Sequence, residues 1–247
     1  MEIKTNLHFH TKDDREEDGE STTEVHYDLF QGLDEAKKLG FNALAVTCHN
    51  FVTDDESYYK YAEKLGITLI RGIEKTVGGK HVVILNVDKS AEHIKTFSDL
   101  RGYRTSHPES FFLAPHPFFD GGYSLGKKLK TYAELFDAIE YSWFHFKFLD
   151  LNAEAYFFAK EHGLPLVATS DTHDLANLGL SYAILDVRDN SFAAIVEALK
   201  TGKIRNVSPD TAFWNKRTWR IILQTMGGLL KGRKKNSYYE KKRRKMG

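Results

Sequence analysis

A chain of 247 residues, 41% hydrophobic and 28% charged, can bury a substantial core and is neither disordered nor collagen-like. Its apolar stretches stay well below the roughly 20 residues of a membrane-spanning helix, and its single cysteine, Cys48, excludes an internal disulfide. The net charge of +1 hides an asymmetry: residues 213–247 hold twelve Lys/Arg against one acid, Glu240, which leaves 23 bases and 33 acids in the rest of the chain.

Strand and helix signals alternate along the chain, which predicts an α/β protein with a mostly parallel sheet or barrel. Residues 3–8 read as a strand that the amino terminus enters directly, without a signal-peptide core. Residues 27–39 form an amphipathic helix stopped at Gly40, followed by a strand at 41–47. A helix at 57–65 stops at Gly66, and 68–73 is the next strand. Gly78-Gly79 turns into a β-branched run at 81–87, a local hairpin. Residues 91–103 read as a helix, 111–114 as a short buried strand, and 132–136 with 138–141 as helix then strand. A helix at 152–162 closes at Gly163 before a strand at 164–169. A last strand at 182–187 and a last helix at 192–199 complete the body.

Chemistry-bearing residues recur where these apolar runs end. His8 and His10 leave the first strand, His49 the second, Glu74 the third, His116 the 111–114 strand, and Asp171 and His173 the 164–169 strand. Parallel strands carry functional groups at their carboxyl ends, so these side chains should converge on one crevice or barrel mouth. The i, i+2 spacing of His8 and His10 puts both imidazoles on one face and turns Phe9 towards the core. Asp171 and His173 repeat that spacing. Imidazoles and carboxylates gathered this way make a nitrogen/oxygen site suited to Zn, Mn or Fe.

Taken together, His8-x-His10-Thr11, Thr47-x-His49-Asn50, Gly72-x-Glu74, His116-Pro117 and Ser170-Asp171-x-His173 resemble the PHP (polymerase and histidinol phosphatase) family in kind and order. The resemblance covers residues 1–206. It implies a distorted (β/α)7 barrel with two or three divalent metal ions that hydrolyses phosphate esters. Carried over residue by residue, it implies that His8, His10, Glu74 and Asp171 hold a first ion. Glu74 would bridge to a second ion held also by His116 and His81. His49 and His173 would hold a third with an acidic residue from the segment after His10. Asp14 is the first choice there and Asp18 the second, because the residue five after His10 is Arg15. A further departure is Cys48, where the family usually has aspartate; it reads as a small residue behind the ligands that could alter metal preference. Cys48 is not needed as a nucleophile, because a metal-generated hydroxide would supply one.

The remaining histidines, His26, His93, His107, His145 and His162, read as ordinary polar residues, His145 being the one that could line a pocket. Glu140 reads as a support for a ligand or for the barrel floor. Residues 207–247 read as a separate amphipathic helix and basic tail, suited to docking on the barrel or to contacting nucleic-acid phosphates or an anionic membrane surface.

The function this predicts is hydrolysis of a phosphomonoester, on a phosphorylated small molecule, by metal-activated hydroxide, with His173 or His81, if not fully engaged as a ligand, protonating the leaving group. The alternatives are a nuclease acting on RNA or DNA ends with the help of the tail, and a non-catalytic metal-binding module. A cytoplasmic location, with peripheral membrane contact through the tail, fits the lone cysteine.

Overall fold

The computed structural model describes residues 1–15, 25–119, 122–142 and 152–208. In chain order it contains β1 (Glu2–Asn6), α1 (Leu29–Lys38), β2 (Ala43–Val46), α2 (Glu56–Leu65), β3 (Thr68–Val77), β4 (Lys80–Leu85), α3 (Phe97–Ser106), β5 (Phe111–Ala114), α4 (Lys127–Thr131), β6 (Ala138–Ser142), α5 (Ala153–His162), β7 (Leu166–Thr169), β8 (Tyr182–Asp186), α6 (Phe192–Lys200) and β9 (Ile204–Val207). The strands form one sheet in the order β7-β6-β5-β4-β3-β2-β1-β8-β9.

Local chemistry explains most element ends. Asp28 caps α1 in a reciprocal box with Gln31, and Asp55 caps α2. Gly66 and Gly163 end α2 and α5 in the left-handed conformation, with φ of 72° and 64°. The single helix expected over 91–103 is instead a 3₁₀ turn, Lys89–His93, followed by α3. Thr96 and Asp99 form a second capping box there and restart the helix. The helix expected over 132–136 is a 3₁₀ turn, Ala133–Leu135, with α4 preceding it.

The expected mostly parallel sheet is not what forms. β1–β2, β2–β3, β5–β6 and β6–β7 are parallel, whereas β3–β4, β4–β5, β1–β8 and β8–β9 are antiparallel. Gly78 and Gly79, with φ of 55° and 73°, make the two-residue hairpin turn that reverses the chain into β4. At the other edge β8 is not the last strand, since β9 follows it. Among the described residues the sheet has nine strands, where the resemblance implies seven β/α units, and it is nearly closed into a barrel. Asn206 on β9 bridges to β7, accepting from Ala168 N at 2.8 Å and donating to Leu166 O at 2.9 Å. Beyond the ends of β1 and β7, Phe9 and Thr172 pair directly in parallel.

Apolar side chains fill both faces of this sheet. Ile3, Leu7, Ala43, Val83, Leu85, Leu113 and Ala183 cluster with Ile195 and Leu199 of α6. Thr68 at the start of β3 donates to Asn190 O just before α6, so this helix seals the end of the barrel where β3 begins. Outside the sheet, α1 and α2 pack on Leu44 and Val46, and α3, α4 and α5 pack on Ile84, Phe112 and Ile139. Phe9 belongs to the outer layer and is fully buried. Its ring lies against Gly32 of α1, where a Cβ would come within 2.5 Å of Cζ. No helix of the described residues is long and apolar enough to cross a membrane. The amphipathic helix and basic tail expected over residues 207–247 lie, from residue 209 onward, outside the described residues.

Candidate metal centre

Opposite α6, the barrel ends in polar side chains. His8 and His10 extend beyond β1, His49 follows β2, and His116 follows β5. His81 sits on β4, in the same alternating register as Val83 and Leu85, which face the interior cluster. Asp171 and His173 follow β7. Glu74 does not leave its strand as expected but sits inside β3, because β3 continues to Val77 to pair with β4.

Glu74 is the hub. Its Oε2 lies 3.1 Å from His8 Nε2, 3.2 Å from His10 Nε2 and 3.4 Å from His49 Nδ1. Its Oε1 lies 3.0 Å from His81 Nδ1 and 3.2 Å from His116 Nε2. Asp171 Oδ1 stands 3.5 Å from His8 Nε2 and 3.3 Å from His10 Nε2, with His173 Nδ1 at 3.4 Å. Asp14 Oδ1 is 3.1 Å from His10 Nδ1 and accepts from His49 N at 2.9 Å. The structure thus brings Asp14 to the centre along with the eight other side chains. Asp18 and His145 lie outside the described residues. His107 pairs instead with Asp88, and His162 stacks on Phe158.

The donor set fits divalent ions. The Nε2 atoms of His8 and His10, Glu74 Oε2 and Asp171 Oδ1 stand between 3.0 and 3.5 Å apart wherever two of them are in contact. Ligands about 2.0–2.1 Å from a tetrahedral ion are separated by roughly 3.3–3.4 Å. Two further groups, His10 with Asp14, His49 and His173, and His49 with Glu74 and His81, also bring their donor atoms within 4.8 Å of one another. One buried carboxylate oxygen, Asp14 Oδ2, has no hydrogen-bond donor. Leaving such an oxygen without a partner is costly, and a cation supplies one.

The electrostatics agree. Burial alone would lower the proton affinity of His8, but Glu74, Asp171 and Glu140 outweigh it and raise the group well above its ordinary 6.5. His10 behaves likewise, with Asp14 the largest opposing influence. Burial prevails at His49 and His173 and pushes both down to about 4. The Glu74 carboxyl overcomes its burial through His81, His8 and His49 and stays ionised.

Residues behind these side chains hold them in place. Glu140, which the sequence suggested only as a support, places Oε1 3.2 Å from His8 Nδ1 and also accepts from His116 N and Thr169 Oγ1. Asn6 Oδ1 accepts from His8 N and Ser170 N, and Asn6 Nδ2 donates to Ser170 Oγ, which contacts Thr172 Oγ1. No motif pointed to this network, nor to Tyr123, whose ring stacks on His81 at 4.9 Å. Cys48 is buried and contacts Thr11 Oγ1 at 3.1 Å. His116 and Asp171 adopt positive φ, 28° and 43°, away from glycine's usual monopoly of that region.

Comparison with known families decides the relationship. The PHP domain model matches residues 7–147, and the PHP-associated model matches 150–204. The chain belongs to the PHP domain family. Three solved structures share the PHP-type barrel. A two-domain protein from Bacteroides vulgatus containing a predicted PHP-like metal-dependent phosphoesterase has a TM-score of 0.62 at 19% identity, over 84% of this chain and 65% of that one. PsfC from Pseudomonas syringae has a TM-score of 0.58 at 16% identity, over 91% and 96%. The lesion-specific endonuclease PfuEndoQ from Pyrococcus furiosus has a TM-score of 0.53 at 18% identity, over 85% and 60%. The chain thus spans less than two thirds of the first and third of these proteins, and at such identities the likeness is one of fold. Curated protein sequences gave no significant match.

Proposed function

We propose that this PHP protein hydrolyses phosphomonoesters of small molecules with two or three divalent ions, Zn, Mn or Fe. In this reading His8, His10, Glu74 and Asp171 hold one ion, His81 and His116 share Glu74 with a second, and Asp14, His49 and His173 hold a third. The observation that carries it is the division of Glu74, with Oε2 towards His8, His10 and His49 and Oε1 towards His81 and His116. One carboxylate facing two sets of imidazoles suits a bridge between two ions.

Bound there, divalent ions supply a water of near-neutral pKa and positive charge against the phosphoryl oxygens. The chain's own residues orient and exclude. Glu140 accepts a hydrogen bond from the Nδ1–H of His8, and Asp14 one from that of His10, so that both rings turn Nε2 to the centre. His173, pushed down to about 4, arrives neutral and suits a lone-pair donor better than an acid. Protonation of the leaving oxygen falls to His81 only where its ring is not engaged as an ion ligand, since Nδ1 faces Glu74. Access is from one side, where His116, His173 and Asp171 are 16%, 17% and 30% exposed while His8, His10 and Glu74 are buried. A recessed centre admits a terminal phosphate more readily than the middle of a polymer. The single, buried cysteine suits a cytoplasmic setting.

The deciding assay offers the full chain, loaded with Mn or Zn, an aryl phosphate, a bis-aryl phosphodiester, and oligonucleotides with and without a terminal phosphate, all at matched ionic strength. Preferential release of inorganic phosphate from monoesters is the expected result. Faster cleavage of diester bonds, with truncation at residue 210 abolishing action on polymers alone, would establish the nuclease instead.

A further inference from the structure

Arg15 follows Asp14 in the chain, is exposed, and belongs to none of the candidate ligand groups. Its backbone is fixed on both sides, N donating to His49 O at 2.9 Å and O accepting from Asn50 Nδ2 at 3.3 Å. Its guanidinium lies over the Phe51 ring, with Cζ 3.9 Å from the centroid. Stacking engages the flat face of the group and leaves the N–H donors along its edge available. Every other described arginine gives those donors to oxygen. Arg71 meets the Tyr59 hydroxyl, Arg101 meets Glu134, Arg104 meets Asp137, Arg188 meets Asp189, and Arg205 meets Glu2. Among the described residues, no oxygen accepts from the Arg15 guanidinium.

A guanidinium that is ordered by an aromatic ring, in a residue tethered to the backbone of His49, and that lacks an acceptor among the described residues, is prepared for an anion. Its geometry favours two oxygens of one phosphoryl group, taken side by side in the plane of the fork. We infer that Arg15 is a substrate-anchoring residue, binding the non-bridging oxygens of the phosphate that enters the centre, with Phe51 as its positioning partner. This deepens the phosphoesterase reading and rests on it for the identity of the substrate. It also separates two roles within one short segment: Asp14 faces inward to His10 and His49, and Arg15 receives the substrate.

The test uses the metal-loaded full chain, with inorganic phosphate as the calorimetric probe and an aryl phosphate as substrate, for wild type, Arg15→Ala, Arg15→Lys and Phe51→Leu. Arg15→Ala should raise both the phosphate Kd and KM by about tenfold or more, with kcat changed less and metal content unchanged. Arg15→Lys should recover part of the loss, and Phe51→Leu should fall between wild type and Arg15→Ala. A phosphate Kd within twofold of wild type in Arg15→Ala overturns the proposal. So does loss of bound metal in that variant, or failure of the wild type to bind phosphate. A wild type that binds phosphate but hydrolyses no ester sinks the phosphoesterase reading alone, and the Kd comparison still decides the role of Arg15.

Discussion

Glu140 reaches across from β6 to His8 beyond β1 and sets Oε1 3.2 Å from Nδ1, which determines the ring nitrogen that His8 turns towards Glu74. Carboxylates in this position fix the tautomer and orientation of a ligating imidazole. Glu140→Gln keeps the volume and the contact with His116 N but removes the charge. It should weaken metal binding by about 10–100-fold while leaving the thermal transition of the metal-free protein within a few degrees. Competition with a fluorescent chelator measures the first quantity and scanning calorimetry the second. Unchanged affinity would show that Glu140 is only filling the barrel.

Metal uptake should release protons. At neutral pH the metal-free centre keeps His8 and His10 protonated, because the carboxylates around them outweigh the effect of burial. An ion needs both Nε2 lone pairs, so two protons must leave, whereas His49 and His173, at about 4, are already neutral. Affinity should therefore rise with pH, by up to about a hundredfold per unit near neutrality. The sign for folding is opposite in the metal-free state. Groups raised above 6.5 stabilise the native chain below that pH, and this contribution is lost as pH climbs through their folded values. Chelator-treated protein should lose stability from this source on the alkaline side, where the loaded protein gains affinity. Calorimetry in two buffers of different ionisation enthalpy counts the protons, and release of fewer than one at pH 7 would contradict the assignment.

The ends of parallel strands were the legible part of this chain, and for a physical reason. His8, His10, His49, His116, Asp171 and His173 each follow an apolar run, and apolar runs followed by polar residues can be read without a structure. His81 was weaker because an antiparallel hairpin strand has no such grammar. Its signal was the register it shares with Val83 and Leu85, which only the barrel interior makes meaningful. β9 escaped entirely: Ile204 and Val207 are half-buried and Arg205 and Asn206 exposed, so no alternation marks it. Its role in closing the barrel lies in the Asn206 amide, which substitutes for strand pairing with β7. Glu140 was legible as a support, but its partner was not, because only the barrel brings β6 opposite β1.

Cys48 should be inert in the native protein. Burial pushes its thiol up to about 12, Asp14 adds to this, and the contact with Thr11 offsets only part of it. The thiolate is the reactive form, so at pH 8 a disulfide reagent should modify no cysteine in the folded chain and one per chain after denaturation. The native protein also binds this proton more tightly than the unfolded chain does. The resulting stability is complete below the ordinary value of 9.0 and is lost as pH rises towards 12. Rapid labelling without denaturant would show that the loop carrying Asp14 opens more readily than its packing indicates.

Gly32→Ala separates helix propensity from packing. In the interior of α1, alanine is favoured over glycine by about 1 kcal/mol, so propensity alone makes this substitution stabilising. Its new Cβ, however, would lie 2.5 Å from Cζ and 2.8 Å from Cε1 of Phe9, a ring that is fully buried and has little room to retreat. Overpacking of this kind costs typically about 1–3 kcal/mol, so the net effect should be destabilising. Phe9 lies between His8 and His10, and moving its ring moves the backbone that aims both imidazoles at Glu74. Weaker metal binding should therefore accompany the lowered Tm. Replacing Phe9 by Leu in the same chain removes the clashing atoms, and the double variant should regain part of the loss, giving a favourable coupling energy. If Gly32→Ala raises Tm with metal affinity intact, Phe9 is not the wedge that sets the spacing of His8 and His10.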